Sequence, residues 1–100
     1  MGAHRFSFTA EVWEHEGSGA WHFVSLSEAD ADDIDEMFGH RAGGFGAVRV
    51  EVKIGRTTWL TSIFPDRKRG TYVLPLKKPV RLAEGLRAGE AAHIEIDVVQ

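Results

Sequence analysis

Val48-Arg49-Val50-Glu51-Val52-Lys53-Ile54, then Gly55-Arg56, then Thr57-Thr58-Trp59-Leu60-Thr61-Ser62-Ile63-Phe64, is the stretch that decides the fold class. Branched apolar residues alternate with charges over seven positions, the period-two pattern of a strand with one buried face. Gly55 stands at the first central position of a two-residue connection, which suits a type II′ hairpin turn. The second arm, Thr57 to Phe64, is rich in β-branched and aromatic residues.

The same pattern recurs on both sides. Phe6, Phe8, Ala10 and Val12 alternate with Ser7, Thr9 and Glu11, and Ala20 to Leu26 reads as a second strand. His15-Glu16-Gly17-Ser18-Gly19 separates them as a turn, so the two are expected to form a hairpin with a long loop. Pro65 to Gly70 reads as a polar loop, Thr71 to Leu76 as a strand, Arg87 to Glu90 as a turn, and Ala92 to Val98 as a last strand. Two helices interrupt the series. Ser27 can accept from the amides that open a helix over residues 28–38, with Ile34, Met37 and Phe38 as its apolar stripe and its acids on the wet face. Pro79 opens a second helix of about two turns, with Val80, Ala83 and Leu86 as its stripe and Gly85 weakening it. The expectation is a single mainly β domain over residues 1–100, a closed or partly open barrel of about six strands with one short acidic helix and a second short helical turn.

Composition limits the function classes. The 100 residues contain no cysteine, which excludes disulfide scaffolds, thiolate zinc sites and cysteine nucleophiles. No apolar run approaches the length of a membrane span, and no apolar leader follows Met1, so a cytoplasmic location is expected. The net charge of −3 conceals an asymmetry. Residues 1–40 hold nine acids against Arg5, residues 41–87 hold eleven bases against Glu51, Asp66 and Glu84, and Glu90, Glu95 and Asp97 follow.

The five histidines, His4, His15, His22, His40 and His93, show no i,i+4 metal pattern, and no metal or cofactor is expected. No Gly-x-Ser-x-Gly nucleophile motif occurs. Gly43-Gly44-Phe45-Gly46 lacks the Lys-Ser/Thr that completes a phosphate loop, so its glycines serve conformation. Enzyme chemistry therefore has no recognisable motif behind it. Strand-borne aromatics beside polar residues give a candidate ligand set of Trp21, Arg49, Lys53, Trp59, Ser62 and Tyr72, placed at a barrel mouth. Each tryptophan has a competing reading as core. Arg67, Lys68, Arg69, Lys77, Lys78 and Arg81 form a candidate phosphate patch. Against nucleic acid stand a pI of about 5.9 and a 65–70 loop with no aromatic of its own for stacking bases.

The chain resembles a small bacterial family of unknown function, DUF1905. The resemblance rests on Phe6-Ser7-Phe8-Thr9-Ala10-Glu11-Val12, Ala20-Trp21-His22-Phe23-Val24, Ile54-Gly55-Arg56 with Ser62-Ile63-Phe64-Pro65, and Gly70-Thr71-Tyr72-Val73-Leu74-Pro75-Leu76 followed by Pro79 to Gly89 and the last strand. It implies a small barrel related to the double-split barrels, an architecture that also houses dimeric transcription factors and antitoxins, and it implies no activity. Two functional readings stay open. One is a non-catalytic module for a small apolar or weakly anionic ligand, monomeric or homodimeric. The other is a dimeric nucleic-acid-associated or regulatory domain that uses the basic 41–87 segment.

Overall fold

The computed structural model describes residues 5–16, 21–39 and 46–99. The expected 40–46 glycine loop, apart from Gly46, and the 17–19 part of the first turn lie outside them, as do His4, His40 and Ala20. Among the described residues seven strands and two helices follow one another as β1 (Arg5–Glu11), β2 (Trp13–Glu14), β3 (His22–Ser25), α1 (Glu28–Phe38), β4 (Val48–Ile54), β5 (Thr57–Asp66), β6 (Thr71–Pro75), α2 (Lys78–Glu84) and β7 (Ala91–Val98). They form one antiparallel sheet in the order β1-β7-β4-β5-β6-β3-β2, curled into a nearly closed barrel.

Strand β4 lies between β5 and β7, so both its edges are paired and its alternation is strict. Val48, Val50, Val52 and Ile54 are buried while Arg49, Glu51 and Lys53 are exposed. Val52 faces Ile96 on one side and Trp59 on the other, and Val48 faces Ile63, so branched side chains meet in register on the inner wall. Ile94 and Ile96 of β7 and Val24 and Leu74 of β3 and β6 complete a filled interior. The barrel is a packed core, with no buried charged or polar side chain among the described residues. Gly55 takes the positive φ (59°) that its turn position requires.

Two strands are shared between the halves of the barrel, and both differ from the expectation. The first strand does not form a hairpin with the second along its length. Residues 5–11 pair with β7, and only Trp13 and Glu14 pair with β3. The switch falls at Val12, whose N–H donates to the Glu90 carbonyl (2.9 Å) and whose carbonyl accepts from Gly89 N–H (2.8 Å). Because β1 and β2 are the two ends of the sheet, this one residue joins them and closes the ring. Strand β5 bends likewise: Thr57 to Ile63 pair with β4, and Phe64 to Asp66 pair with β6. Pro65 therefore lies in a strand rather than a loop. It sits past the last β4 pair, Val48 with Ile63, where β4 has no carbonyl waiting for its absent N–H.

Helix α1 occupies the expected residues, and Ser27 Oγ accepts from Asp30 N–H at 3.2 Å. Its buried stripe is Ala31, Ile34 and Phe38, and Met37 faces outward, against expectation. Tyr72 crosses to it, its hydroxyl donating to Asp35 Oδ1 (3.4 Å). Burial and the Asp35 carboxylate both raise the phenol's pKa above its ordinary value. In α2 only Val80 is buried, and Ala83 is exposed. Gly85, expected to weaken this helix, ends it in the left-handed conformation instead (φ 64°). Glu84 ties α2 to the β4–β5 turn by accepting from Thr57 Oγ1 (2.6 Å) and Arg56 N–H (3.2 Å).

Candidate functional site

The six residues of the expected ligand set do not share one pocket. Trp59 and Tyr72 point inward, Trp59 packed on the core and Tyr72 part of it. The Trp59 Nε1–H is buried with no acceptor among the described residues. Arg49 and Lys53 stand on the outer wall of β4, where Arg49 is the cross-strand neighbour of Ser62. Lys53 borders a cleft of about 70 Å³ together with Arg5, Glu51 and Glu95. This outer wall is a charge lattice: Arg5 donates to Asp97 from Nη2 at 2.9 Å. That hydrogen bond and the guanidinium charge outweigh partial burial and hold the Asp97 carboxyl below the usual carboxylate range.

Trp21 is different. It opens onto a pocket of about 320 Å³ that it lines with His22, Leu76, Lys77, Lys78 and Arg81. Sheet register explains the meeting. In the β3–β6 pair Phe23 faces Pro75, so two residues further on the chain brings position 21 beside position 77. The pocket thus lies at the barrel rim, where β6 runs into α2. Arg81 is fixed there by its Nε–H, which donates to the Leu76 carbonyl (3.1 Å). Trp21 is 60% exposed, a large value for an indole. Among the described residues Lys77 and Lys78 make no ion pair. Half of the expected phosphate patch is therefore brought to an aromatic wall.

The other half meets aromatics too. On β2, β3 and β6 the residues out of phase with Val24, Leu26 and Leu74 face outward, among them Trp13, Phe23, Ser25 and Val73. Trp13 and Phe23 are register partners, with ring centroids 4.9 Å apart and planes at 30°. Phe23 and Trp21 follow at 6.3 Å and 13°. Trp13 is anchored by its Nε1–H, which donates to Ser25 Oγ (3.0 Å). Over its ring lies the Arg69 guanidinium, 4.1 Å from the centroid. The 65–70 loop has no aromatic of its own, yet the hairpin lays it against those of β2 and β3.

Arg67, Lys68 and Arg69 border a broad groove of about 1630 Å³ floored by Phe23 and Val73. Glu11, Glu14, Glu16 and Asp66 border it as well. Arg69 is held in place by Asp66, Nη1 to Oδ2 at 2.8 Å. Burial works against the Asp66 charge, but the Arg69 side chain, its N–H and the Lys68 N–H outweigh it and keep the carboxyl below its ordinary pKa. Trp13 and Phe23 are the site residues the sequence reading missed. The signal for Trp13 was its position out of phase with the Phe6–Val12 face.

Fold and site together define a small antiparallel β-barrel whose outer wall carries a row of aromatic rings with cations at both ends. Within that class the chain belongs to DUF1905, described as a domain of unknown function, whose family model matches residues 8–96. Comparison with curated proteins gives no match. Among the described residues no helix is long and apolar enough to cross a membrane, and no three His, Asp or Glu side chains are grouped to hold a metal ion.

Proposed function

We propose that this chain is a non-catalytic binding module for a small anion with a flat apolar body, taken at the barrel rim between Trp21 and the cations Lys77, Lys78 and Arg81. The observation that carries the reading is the rim pocket itself: an exposed indole and, from a distant stretch of the chain, three neighbouring cations around about 320 Å³. That volume suits one ring system with a charged tail. A ring stacked on the indole gains area and dispersion, and the cations supply charge-assisted hydrogen bonds to the tail. Among the described residues the lining contains no hydroxyl, thiol or carboxylate, and so no oxygen or sulfur nucleophile and no carboxylate base. As part of the same reading the module works in the bacterial cytoplasm, as a monomer or homodimer, with no metal or cofactor.

Calorimetric titration with thymidine monophosphate, adenosine monophosphate and benzoate, against the uncharged nucleosides, tests the proposal. Saturable binding of the anions is expected, weakened at least about tenfold in Trp21→Ala and in the Lys77→Ala/Arg81→Ala double variant, equivalent to roughly 1.4 kcal/mol. Equal affinity for the uncharged nucleosides, or anion binding indifferent to both variants, contradicts it.

A further inference from the structure

We propose that the outer wall of β2, β3 and β6 is a track for single-stranded nucleic acid, with the rim pocket as one end of it. The inference rests on the rim-pocket reading and extends it to a polymer. Three observations carry it. The rings of Trp21, Phe23 and Trp13 form an unbroken row, with centroid steps of 6.3 and 4.9 Å. Cations stand at both ends, Lys77, Lys78 and Arg81 beside Trp21, and Arg67, Lys68 and Arg69 around Trp13. The groove beside the row, about 1630 Å³, is far larger than the rim pocket and larger than a single small ligand fills.

Aromatic rings flanked by phosphate-binding cations are what a strand with unpaired bases requires. Every base has a π face to lay on a ring, and its backbone carries charge at regular intervals. A duplex hides its bases, so it would use the cations alone. Among the described residues Arg67, Lys68, Lys77 and Lys78 make no ion pair, which leaves them available to phosphates. Arg69 is already neutralised by Asp66 and covers the Trp13 ring, so a base stacks there by displacing that guanidinium, whereas Trp21 is open. Glu11, Glu14 and Glu16 line the same groove and repel a backbone, and Asp66 is engaged by Arg69, so the phosphates are left to Arg67 and Lys68.

The test compares thymidine monophosphate with oligothymidylates and oligouridylates of increasing length, by fluorescence anisotropy across a salt series. Affinity is expected to rise with length until both cation clusters are spanned. The log–log salt dependence should steepen by about 0.7 for each phosphate contacted. The Arg67→Glu/Lys68→Glu double variant, altered at two exposed positions, should lower oligonucleotide affinity at least about tenfold. It should leave monophosphate binding at the rim unchanged. Oligonucleotides that bind no tighter than the monophosphate overturn the track while the rim reading stands. A poly-glutamate peptide that competes as well as the oligonucleotide also overturns it, and would make the wall a site for acidic peptides. Loss of monophosphate and oligonucleotide binding together removes both readings. Comparing the deoxy and ribo series assigns the track to DNA or RNA.

Discussion

Val12→Asp is expected to destabilise the folded barrel by several kcal/mol and to lower its urea midpoint sharply. Val12 is 1% exposed and stands where the chain leaves β7 and joins β3. Its backbone is committed on both sides, to Glu90 and to Gly89, so the residue cannot swing its side chain into water without breaking the corner. A carboxylate there would lie among apolar side chains with no cation partner, at a cost of several kcal/mol, roughly 3–5. A domain of this size has about 5–15 kcal/mol in total. The loss also falls on the residue that closes the sheet, so both edge strands are released at once. Val12→Ala, which keeps the corner apolar and removes only volume, should retain a sigmoidal urea transition at a lower midpoint. Far-ultraviolet dichroism with a urea titration reads both. A Val12→Asp protein with the parental midpoint would mean that the corner is not inside.

Leu74→Ala is the second large effect, with an expected loss of about 2–5 kcal/mol. Leu74 is fully buried on β6, opposite Val24 of β3, in the half of the barrel that carries the aromatic row on its outer wall. Neighbouring strands are held by register and cannot collapse into the space vacated, so most of the cavity persists. Leu60→Ala is the matching control. Leu60 lies on the outside of β5, across from Glu51, and is 56% exposed. Removing it should change stability by no more than about 0.5 kcal/mol. The two leucines thus report which side of the wall is inside, and equal destabilisation would contradict the assignment of faces.

The barrel was legible in the sequence wherever alternation is strict and both strand edges are paired, as in β4 and β7. Its closure was not. Phe6, Phe8, Ala10 and Val12 keep one phase straight through the corner, so nothing local marks the change of partner, which depends on where Gly89 and Glu90 arrive in space. Pro65 misled because proline in a polar stretch normally marks a loop, and the absence of a β4 neighbour beyond Ile63 is a fact of topology. In α1, the exposed Met37 and the buried Ala31 show that a stripe is set by helical phase more than by side-chain size.

The site divides in the same way. Both cation clusters are visible as charge runs, and Trp21 is visible as a strand-borne indole. Their meeting depends on the β3–β6 register, and the stacking of Phe23 on Trp13 depends on the two-residue strand β2. Arg49, Lys53, Trp59, Ser62 and Tyr72 were grouped by residue type, and the pleat then distributed them between the inner and outer surfaces of the barrel.

The three tryptophans supply the most direct measurement of the binding face, because each indole N–H gives its own signal in a proton–nitrogen correlation spectrum. Trp21 and Trp13 stand on the outer wall and Trp59 is packed against the core. Titration with an oligothymidylate should move the Trp21 and Trp13 signals progressively to saturation and leave the Trp59 signal in place. A saturating titration that moves Trp59 alone, or none of the three, would contradict the assignment of this wall as the binding surface.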